Sequence, residues 1–256
     1  MIKLLEPIGF GTSAEIWRAE MDIHPLVAVK LSLQHFDDAG VRRELYLYQH
    51  LVHLASSNIV RIHCLLEFEQ RFGIIMELAD CNLFDKLRQY RKENRLFPVD
   101  QLVAYIQGAA AALDYCHSLR FVHGGINPSD ILLFGENAKI ADFGLSHHLN
   151  TQGVIIKAKS LVKEYCMSPE AKEGKALPQS DQYALAASYA WLRLGHPISN
   201  LSSHEKDLSS LPDGERQILL KGLAANPEHR YPSCVALCEA LATVVGKTKG
   251  DIQGSA

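Results

Sequence analysis

The feature that most constrains the fold of this chain is a change in hydrophobic period near Ala79. Before this point, short β-prone runs are separated by turn residues, a pattern typical of strands. The runs are SAEIWRAEM, PLVAVKLSL, NIVRIHCLLEF and FGIIMEL. Between the second and third runs, residues 37–54 instead repeat apolar side chains at helical steps, and after Ala79 the longer patterns are helical. We therefore predict an α+β chain of two lobes, a small β-rich lobe with one helix and a larger α-helical lobe.

These patterns also predict the boundaries of the lobes. Residues 1–79 form the first lobe, residues 80–246 form the second, and the polar end at 247–256 is predicted to be a frayed tail. Residues 180–194 (SDQYALAASYAWLRL) are apolar nearly all round. We expect them to form a helix at the centre of the core of the second lobe.

Charge and hydropathy argue against two classes of partner. The 256 residues carry a formal net charge of −3, so a nucleic acid partner is not expected. No apolar run approaches the roughly 20 residues that cross a bilayer, and no signal-peptide pattern begins the chain, so a membrane partner is not expected either. We predict a soluble, cytoplasmic protein.

Six cysteines are scattered along the chain without a C-x-x-C pair. Cys234 and Cys238 lie four residues apart and can share one face of a helix. A metal site is one interpretation, but their spacing differs from that of common zinc sites. We favour two buried thiols.

A glycine-rich stretch, IGFGTSAEI, places Gly9 and Gly11 in a G-x-G pattern with Ala14 at the third position. Such glycines allow a backbone turn to lie close to phosphate groups. The stretch lies between two strand-like runs rather than before a helix, which argues against a dinucleotide-binding crossover unit. An ordinary hairpin remains an alternative on this pattern alone.

A lysine within an apolar strand is the second chemical signal. VAVK ends on Lys30, and a desolvated ammonium requires an anionic partner. Glu44 lies on the inward stripe of the helix that follows, so it is the expected partner. Later in the chain, ADFG places Asp142 after a β-prone run.

Taken in order, these motifs resemble those of the eukaryotic-like serine/threonine protein kinase family. The order is G-x-G, V-A-x-K, a helix glutamate, H-x-x, D-F-G, S-P-E, S-D-Q-Y and a late arginine, and it spans roughly residues 5 to 245. The resemblance implies the two-lobe protein kinase fold, with ATP and Mg²⁺ as cofactors. The sequence LAANPEHRYPS near the end also resembles bacterial members of the family.

The resemblance assigns expected roles to particular residues. Lys30 holds the nucleotide phosphates and pairs with Glu44, and a set of further positions surrounds the nucleotide: Ile8, Gly9, Gly11, Ile16, Ala28, Met76, Glu77, Ala79 and Leu132. Asp130 and Asp142 are the expected metal ligands. Glu170 and Arg230 are expected to form an ion pair, and Asp181 is expected to brace the catalytic loop from beneath.

The catalytic loop departs from the family pattern. In HGGINPSDILL, Gly125 occupies the position of the catalytic Asp and Asn127 that of the Lys that neutralises phosphoryl charge. Gly124 replaces an Arg that grips a phosphorylated activation loop, and Asp130 replaces a metal-binding Asn, a mild change because a carboxylate binds Mg²⁺ well. In VKEYCMSPE, Lys163 replaces the Thr that bridges the catalytic Asp and Lys.

Three members of one hydrogen-bonded unit are therefore absent together. A positioned acid–base group contributes about 10²- to 10⁴-fold to a rate, and a glycine cannot supply it. We predict a pseudokinase that binds ATP and Mg²⁺, is inactive or very weak in phosphoryl transfer, and regulates or scaffolds an unidentified protein partner. The alternatives are a slow or unconventional kinase and an interaction module without nucleotide.

Overall fold

The computed structural model describes residues 2–11, 13–22, 24–35, 37–52, 56–143, 147–148, 161–198 and 204–253. Within these residues, no helix combines the length and the apolarity needed to cross a bilayer.

The N-terminal part is a five-stranded antiparallel sheet with one helix. Its strands run in the order β1, β2, β3, β5, β4. They are β1 (Ile2–Phe10), β2 (Ala14–Met21), β3 (His24–His35), β4 (Ile62–Phe68) and β5 (Arg71–Glu77). Helix α1 (Ala39–Leu51) lies between β3 and β4 in sequence. This arrangement agrees with the predicted β-rich lobe.

The two faces of β3 have different roles because side chains alternate along a strand. Val27, Val29 and Leu31 belong to a small apolar cluster with Ile75 of β5. Ala28, two residues before Lys30, lies on the other face and belongs to the main core, which also contains residues of α1 and of the C-terminal part. Lys30 therefore points toward α1 and the C-terminal part.

The C-terminal part is mainly helical. Its helices are α2 (Leu83–Lys92), α3 (Val99–Ser118), α4 (Leu161–Cys166), α5 (Pro169–Lys172), α6 (Pro178–Leu194), α7 (His204–Asp207), α8 (Asp213–Gly222) and α9 (Cys234–Gln253). Every residue from Ser180 to Leu192 in α6 is buried, which confirms the predicted central helix. The chain stays helical through Gln253, past residue 246, where the sequence predicted a polar tail.

Short strands precede and follow the loops of the C-terminal part. Strands β6 (Cys81–Asn82), β8 (Ile131–Phe134) and β9 (Asn137–Ile140) form one sheet, and β7 (Phe121–Val122) pairs with β10 (His147–His148). The loop at 123–130 lies between β7 and β8, and Asp142 follows β9. The β6–β8–β9 sheet therefore brings both loops close to the connection between the two parts.

Candidate active site

Lys30 lies with its ammonium between two carboxylates. Its Nζ donates to Glu44 Oε1 at 2.7 Å and to Asp142 Oδ1 at 2.6 Å. The residue is only 8% exposed. Burial opposes the charged form, but Asp142, Tyr48 and Glu44 together hold the pKa of Lys30 well above its ordinary value. The predicted contact with Glu44 is present, and Asp142 joins it.

Of the two glycines near the turn between β1 and β2, Gly9 and Gly11, only Gly11 lies where a side chain would be too close to its surroundings. The Gly11 N–H donates to Ala14 O at 2.8 Å. A Cβ at Gly11 would lie 3.3 Å from Ala14 O, tighter than ordinary contact, whereas a Cβ at Gly9 would lie 3.5 Å from Ile16 Cγ1. The tight turn at Gly11 therefore favours a residue without Cβ, and such a turn lets the backbone approach a ligand closely.

The apolar residues predicted to surround a nucleobase lie on five different strands. Ala28 and Met76 are register partners across β3 and β5, and both are buried. Ile16 and Leu132 are partly buried against the same core. Ile8 is 48% exposed. The structure thus brings four of these residues to one core, while Ile8 stays at its rim.

The connection between the two parts is fixed by polar contacts of Glu77 and its neighbours. The Glu77 carboxylate accepts from Lys139 Nζ at 2.6 and 2.8 Å and from the Arg61 N–H at 2.7 Å. Ala79 lies between β5 and β6, and the N–H of the next residue, Asp80, donates to Leu133 O at 2.9 Å. The carboxylate of Glu77 is therefore engaged by contacts within the protein.

Asp181, at the start of α6, holds the loop at 123–130 through backbone groups. Its Oδ2 accepts from the His123 N–H and its Oδ1 from the Gly124 N–H, both at 2.8 Å. Its Oδ2 also lies 2.8 Å from His117 Nε2 of α3. Gly124 adopts a φ of 76°, a conformation that glycine adopts at little cost. Asp181 therefore braces the loop as predicted, and His117 is an additional partner of its carboxylate.

His117 gives the folded protein a pH-dependent stability. Its ring lies between Asp181 (2.8 Å) and Asp114 (3.5 Å). Burial opposes the charged ring, but the hydrogen bonds to these carboxylates raise the pKa of His117 to about 9. A folded pKa above the unfolded value stabilises the protein fully below about pH 6.5, and the stabilisation is lost as the pH rises through about 9. The magnitude is about 3 kcal/mol at 1.36 kcal/mol per pKa unit.

We therefore expect His117→Gln to cost about 3 kcal/mol of unfolding free energy at pH 6 and little at pH 10. Urea unfolding of the parent and the variant across this range measures the difference, which cancels the titration of other groups. His196→Gln, at an exposed histidine, is the matched control and should show no such trend. A constant difference between pH 6 and 10 would contradict the assignment.

The side chain of Asn127 forms hydrogen bonds with other residues of its own loop. Its Nδ2 donates to Asp130 Oδ2 and to Gly125 O (3.3 Å), and its Oδ1 accepts from the Ser129 N–H at 2.9 Å. Asp130 is 4% exposed, and its carbonyl accepts from the Ala141 N–H, next to Asp142. The amide at position 127 thus orients the carboxylate of Asp130, in a loop where Gly125 has no side chain.

Asp142 and Phe143 are held from two sides. Asp142 adopts a φ of 59°, which is uncommon for a residue with a Cβ. Phe143 is buried, and its ring lies 5.0 Å from that of His123. His123 Nε2 lies 3.0 Å from Ala141 O. These contacts join the loop at 123–130 to the segment carrying Asp142.

The predicted ion pair of the C-terminal part is present, with Arg230 buried and Glu170 partly buried. Arg230 donates through Nη1 and Nη2 to the two oxygens of Glu170, at 2.7 and 2.9 Å. Burial opposes the charged carboxylate, but hydrogen bonds from Arg230, Ser180 and Ser168 hold the pKa of Glu170 below its ordinary value. Just before it in the chain, Lys163 lies within the short helix α4.

A cluster of possible metal ligands has a structural explanation. Ligand atoms of Asp114, His117 and Cys234 all lie within 4.8 Å of one another. The Asp114 oxygens, however, accept from the backbone N–H groups of Cys234 and Val235 at 2.9 Å each. Asp114 therefore stabilises the beginning of α9. Cys234 and Cys238 are both buried, and burial raises their pKa values, which confirms the predicted buried thiols.

Two residues of this site were not assigned from the sequence. His117 lies one helical turn after Asp114, a spacing that could have suggested a shared face. Tyr48 lies one turn after Glu44, on the stripe predicted to face inward, and its ring centroid is 5.7 Å from Lys30 Nζ. Asp181, the second partner of His117, and Lys30, which lies beside Tyr48, belong to other elements, so spacing alone could not supply these two contacts.

Comparison with known proteins gives a consistent result. The family model described as "Protein kinase domain" matches residues 2–245. The chain is 27% identical over 250 residues to the serine/threonine-protein kinase PrkC of Bacillus subtilis, covering 90% of this chain and 38% of that protein. It is 28% identical over 267 residues to PknD of Mycobacterium tuberculosis, covering 94% of this chain and 40% of that protein.

The fold is also similar to solved structures. A point mutant of the PknI kinase domain from Mycobacterium tuberculosis superposes with a TM-score of 0.76 at 23% identity, covering 96% of both chains. This likeness confirms the predicted two-lobe fold. The chain spans about two fifths of the length of PrkC and PknD.

Proposed function

The chain belongs to the protein kinase family, with bacterial serine/threonine kinases among its relatives, and from that premise we propose that it binds ATP and Mg²⁺ but is impaired in phosphoryl transfer. The observation that supports this most directly is a contrast within one site. The cluster of Lys30, Glu44 and Asp142 is assembled, whereas Gly125 supplies no side chain where the family has its acid–base group.

The residues present fit a nucleotide with its metal. The turn at Gly11 is closed tightly enough to disfavour a Cβ, Lys30 offers a buried cation, and Asp130 and Asp142 offer carboxylate oxygens, the ligands that Mg²⁺ prefers. Bound ATP–Mg²⁺ would supply the phosphoryl group and a neutralising cation. Lys30 would then exchange its contact with Asp142 for the nucleotide phosphates while keeping Glu44.

Two features of the chain support impaired transfer. Gly125 cannot accept a proton from a substrate hydroxyl, a contribution of about 10²- to 10⁴-fold. Asn127 carries no net charge, and its amide is already engaged by Asp130, Gly125 and Ser129. The charge of a transferring group would therefore meet no cation from this loop.

We propose a regulatory role in which nucleotide favours a closed arrangement of the two lobes that a protein partner recognises. Six free cysteines are compatible with the reducing cytoplasm. A slow kinase is the second candidate, favoured by the buried carboxylate of Asp130 at the loop.

Nucleotide binding is tested by thermal unfolding with and without millimolar ATP and Mg²⁺. At a ligand concentration about 100 times Kd, binding adds roughly 2.7 kcal/mol, a rise in Tm of about 5 to 10 °C for a domain of this size. Lys30→Ala should remove most of the rise, because the phosphates lose their buried cation. Each Tm is compared with that of the same variant without ligand, since the substitution itself leaves Glu44 and Asp142 unneutralised.

Lys175→Ala is the matched control, because Lys175 forms an exposed ion pair with Glu173 away from the site. Its response to ATP and Mg²⁺ should equal that of the parent. A parent protein whose Tm does not change with ATP and Mg²⁺ would favour the interaction module without nucleotide and contradict the proposal.

A further inference from the structure

Arg71, the first residue of β5, joins three strands of the N-terminal sheet at the end where β2 begins. Its Nε donates to Ser32 O of β3 at 2.5 Å, and its Nη2 donates to Glu15 Oε1 of β2 at 2.5 Å. The side chains of Arg71 and Glu15 are 28% and 16% exposed, so water screens this ion pair only in part. The planar guanidinium therefore holds β2 and β5 to β3, the strand that lies between them.

Arg71 makes these contacts where the pairing of β3 with β5 is interrupted. The regular register ends at Leu31 and resumes at His35, which lies opposite Arg71. Within this interruption, Ser32 is 5% exposed, and its Oγ accepts from the Phe72 N–H at 3.0 Å. Buried backbone groups need partners, and here side chains supply them in place of the backbone ladder. The position of β3 at Ser32 therefore depends on Arg71.

Ser32 is also the residue at which β3 supports the turn between β1 and β2. It is the register partner of Ala14, the first residue of β2. The residue after it, Leu33, donates its N–H to Ser13 O at 2.8 Å, and Ala14 O accepts the Gly11 N–H that closes the turn. The segment on which the turn closes is therefore fixed to β3 at the point that Arg71 holds.

We propose that Arg71 is a positioning residue for the turn between β1 and β2, and that it fixes where this turn lies over the phosphates of a bound nucleotide. It holds Ala14 from two sides, through Ser32 on the neighbouring strand and through Glu15 next in the chain. Its functional consequence rests on the proposed binding of ATP, whereas its structural part does not. Arg71 acts through β2 and β3 and does not itself touch the nucleotide.

Arg71→Gln removes the charged fork but keeps a polar side chain. In the protein without nucleotide, amide hydrogen exchange measured by NMR should be at least about tenfold faster at the Gly11 and Leu33 N–H groups, because the strands that carry their acceptors lose a charged hydrogen bond. Arg42→Gln is the matched control. It removes an arginine of the same N-terminal part, whose Nη2 lies 2.8 Å from Asp37 Oδ1 in an exposed pair, and it should leave both exchange rates unchanged.

The functional readout compares ATP with adenosine, which share the base and the ribose but not the phosphates. Arg71→Gln should weaken ATP binding about tenfold and adenosine binding less than about twofold, because the turn lies over the phosphates rather than over the base. Arg42→Gln should change neither affinity. A general loss of stability would weaken the binding of both ligands together, so it would not produce this pattern.

Glu15→Gln separates a bridging role from simple charge attraction. If Arg71 acted only as a positive charge that attracts ATP, removal of the Glu15 charge would strengthen ATP binding. Bridging instead predicts ATP binding weakened about threefold, because an amide oxygen forms a weaker hydrogen bond with the guanidinium than a carboxylate does. Glu15→Gln should add little further weakening to Arg71→Gln, since both changes act on one contact.

Unchanged exchange at Gly11 and Leu33 in Arg71→Gln would overturn the proposal whether or not the protein binds ATP. Equal weakening of ATP and adenosine binding, or stronger ATP binding in Glu15→Gln, would overturn the positioning role. A parent that binds neither ligand, combined with faster exchange at Gly11 in Arg71→Gln, would remove the proposed function and leave the support of the turn by Arg71 established.

Discussion

The combined variant Gly125→Asp, Asn127→Lys and Lys163→Thr is expected to transfer phosphate from ATP at least about 100-fold faster than the parent. The first change returns a proton acceptor to the loop. The second places an ammonium beside the carboxylate of Asp130, where Asn127 now donates only an amide. The third returns the threonine hydroxyl that, in the family, bridges the catalytic Asp and Lys. The measurement is incorporation of label from γ-labelled ATP into the protein or a generic substrate.

Each substitution alone is expected to give little activity, because groups that act as one unit are strongly non-additive. With Gly125→Asp alone, the charge of the phosphoryl group stays unbalanced. Every variant is paired with a version carrying Lys30→Ala, which sets the blank. If the parent already transfers label as fast as the triple variant, and loses this activity on Lys30→Ala, then HGGIN is a working loop and the slow-kinase alternative is correct.

Removing one partner of the buried ion pair is expected to have the largest effect on stability. The side chain of Arg230 is fully buried, with Nε donating to Ala224 O at 2.8 Å and Nη1 to Gln179 O at 2.8 Å in addition to Glu170. Arg230→Met leaves the carboxylate of Glu170 without its cation and takes this donor away from three carbonyls, those of Ala224, Gln179 and Ala225. A broken buried pair costs about 3 to 5 kcal/mol, which lowers the Tm by roughly 10 °C.

A double-mutant cycle separates the pair from its surroundings. Glu170→Gln with Arg230→Met should be more stable than Arg230→Met alone, because no unpaired charge is then buried. Arg216→Met, which removes an arginine paired with the exposed Asp213, is the control and should cost less than about 1 kcal/mol. If Arg230→Met costs no more than this control, the pair does not stabilise the contact between α5 and the segment that joins α8 to α9.

The larger elements of the fold could be predicted from the sequence because they carry a clear period. Helix α6 is apolar all round and is buried throughout, as expected. Strands β6, β7 and β10 have two residues each, too few to show any alternation, and exist only because neighbouring strands bind them. Helix α4 has six residues, again too few to show a helical period in the sequence. The extension of α9 to Gln253 was missed because polar and glycine residues argued for fraying.

Contacts within the site could be predicted where a buried charged group required a partner of opposite charge. A lysine in an apolar strand required an anion, and Glu44, 14 residues later, was identified on this ground. Its second partner, Asp142, lies 112 residues away in sequence. The resemblance to a family predicted Asp142 as a metal ligand, not as a partner of Lys30. The hydrogen bond from Asn127 to Asp130 depends on rotamers and backbone positions that no spacing records.

Asp181 binds the loop through the N–H groups of His123 and Gly124, which every residue except proline possesses. These two contacts therefore do not depend on which side chains positions 123 and 124 carry. In evolutionary terms, the contact with Asp181 uses backbone atoms of this segment, whereas catalysis in the family uses its side chains. A lineage that no longer requires phosphoryl transfer can replace the residue at 125 without losing the backbone contacts that hold the loop to Asp181. Inactive members of a family arise easily from such a design, because losing the reaction does not require losing the fold.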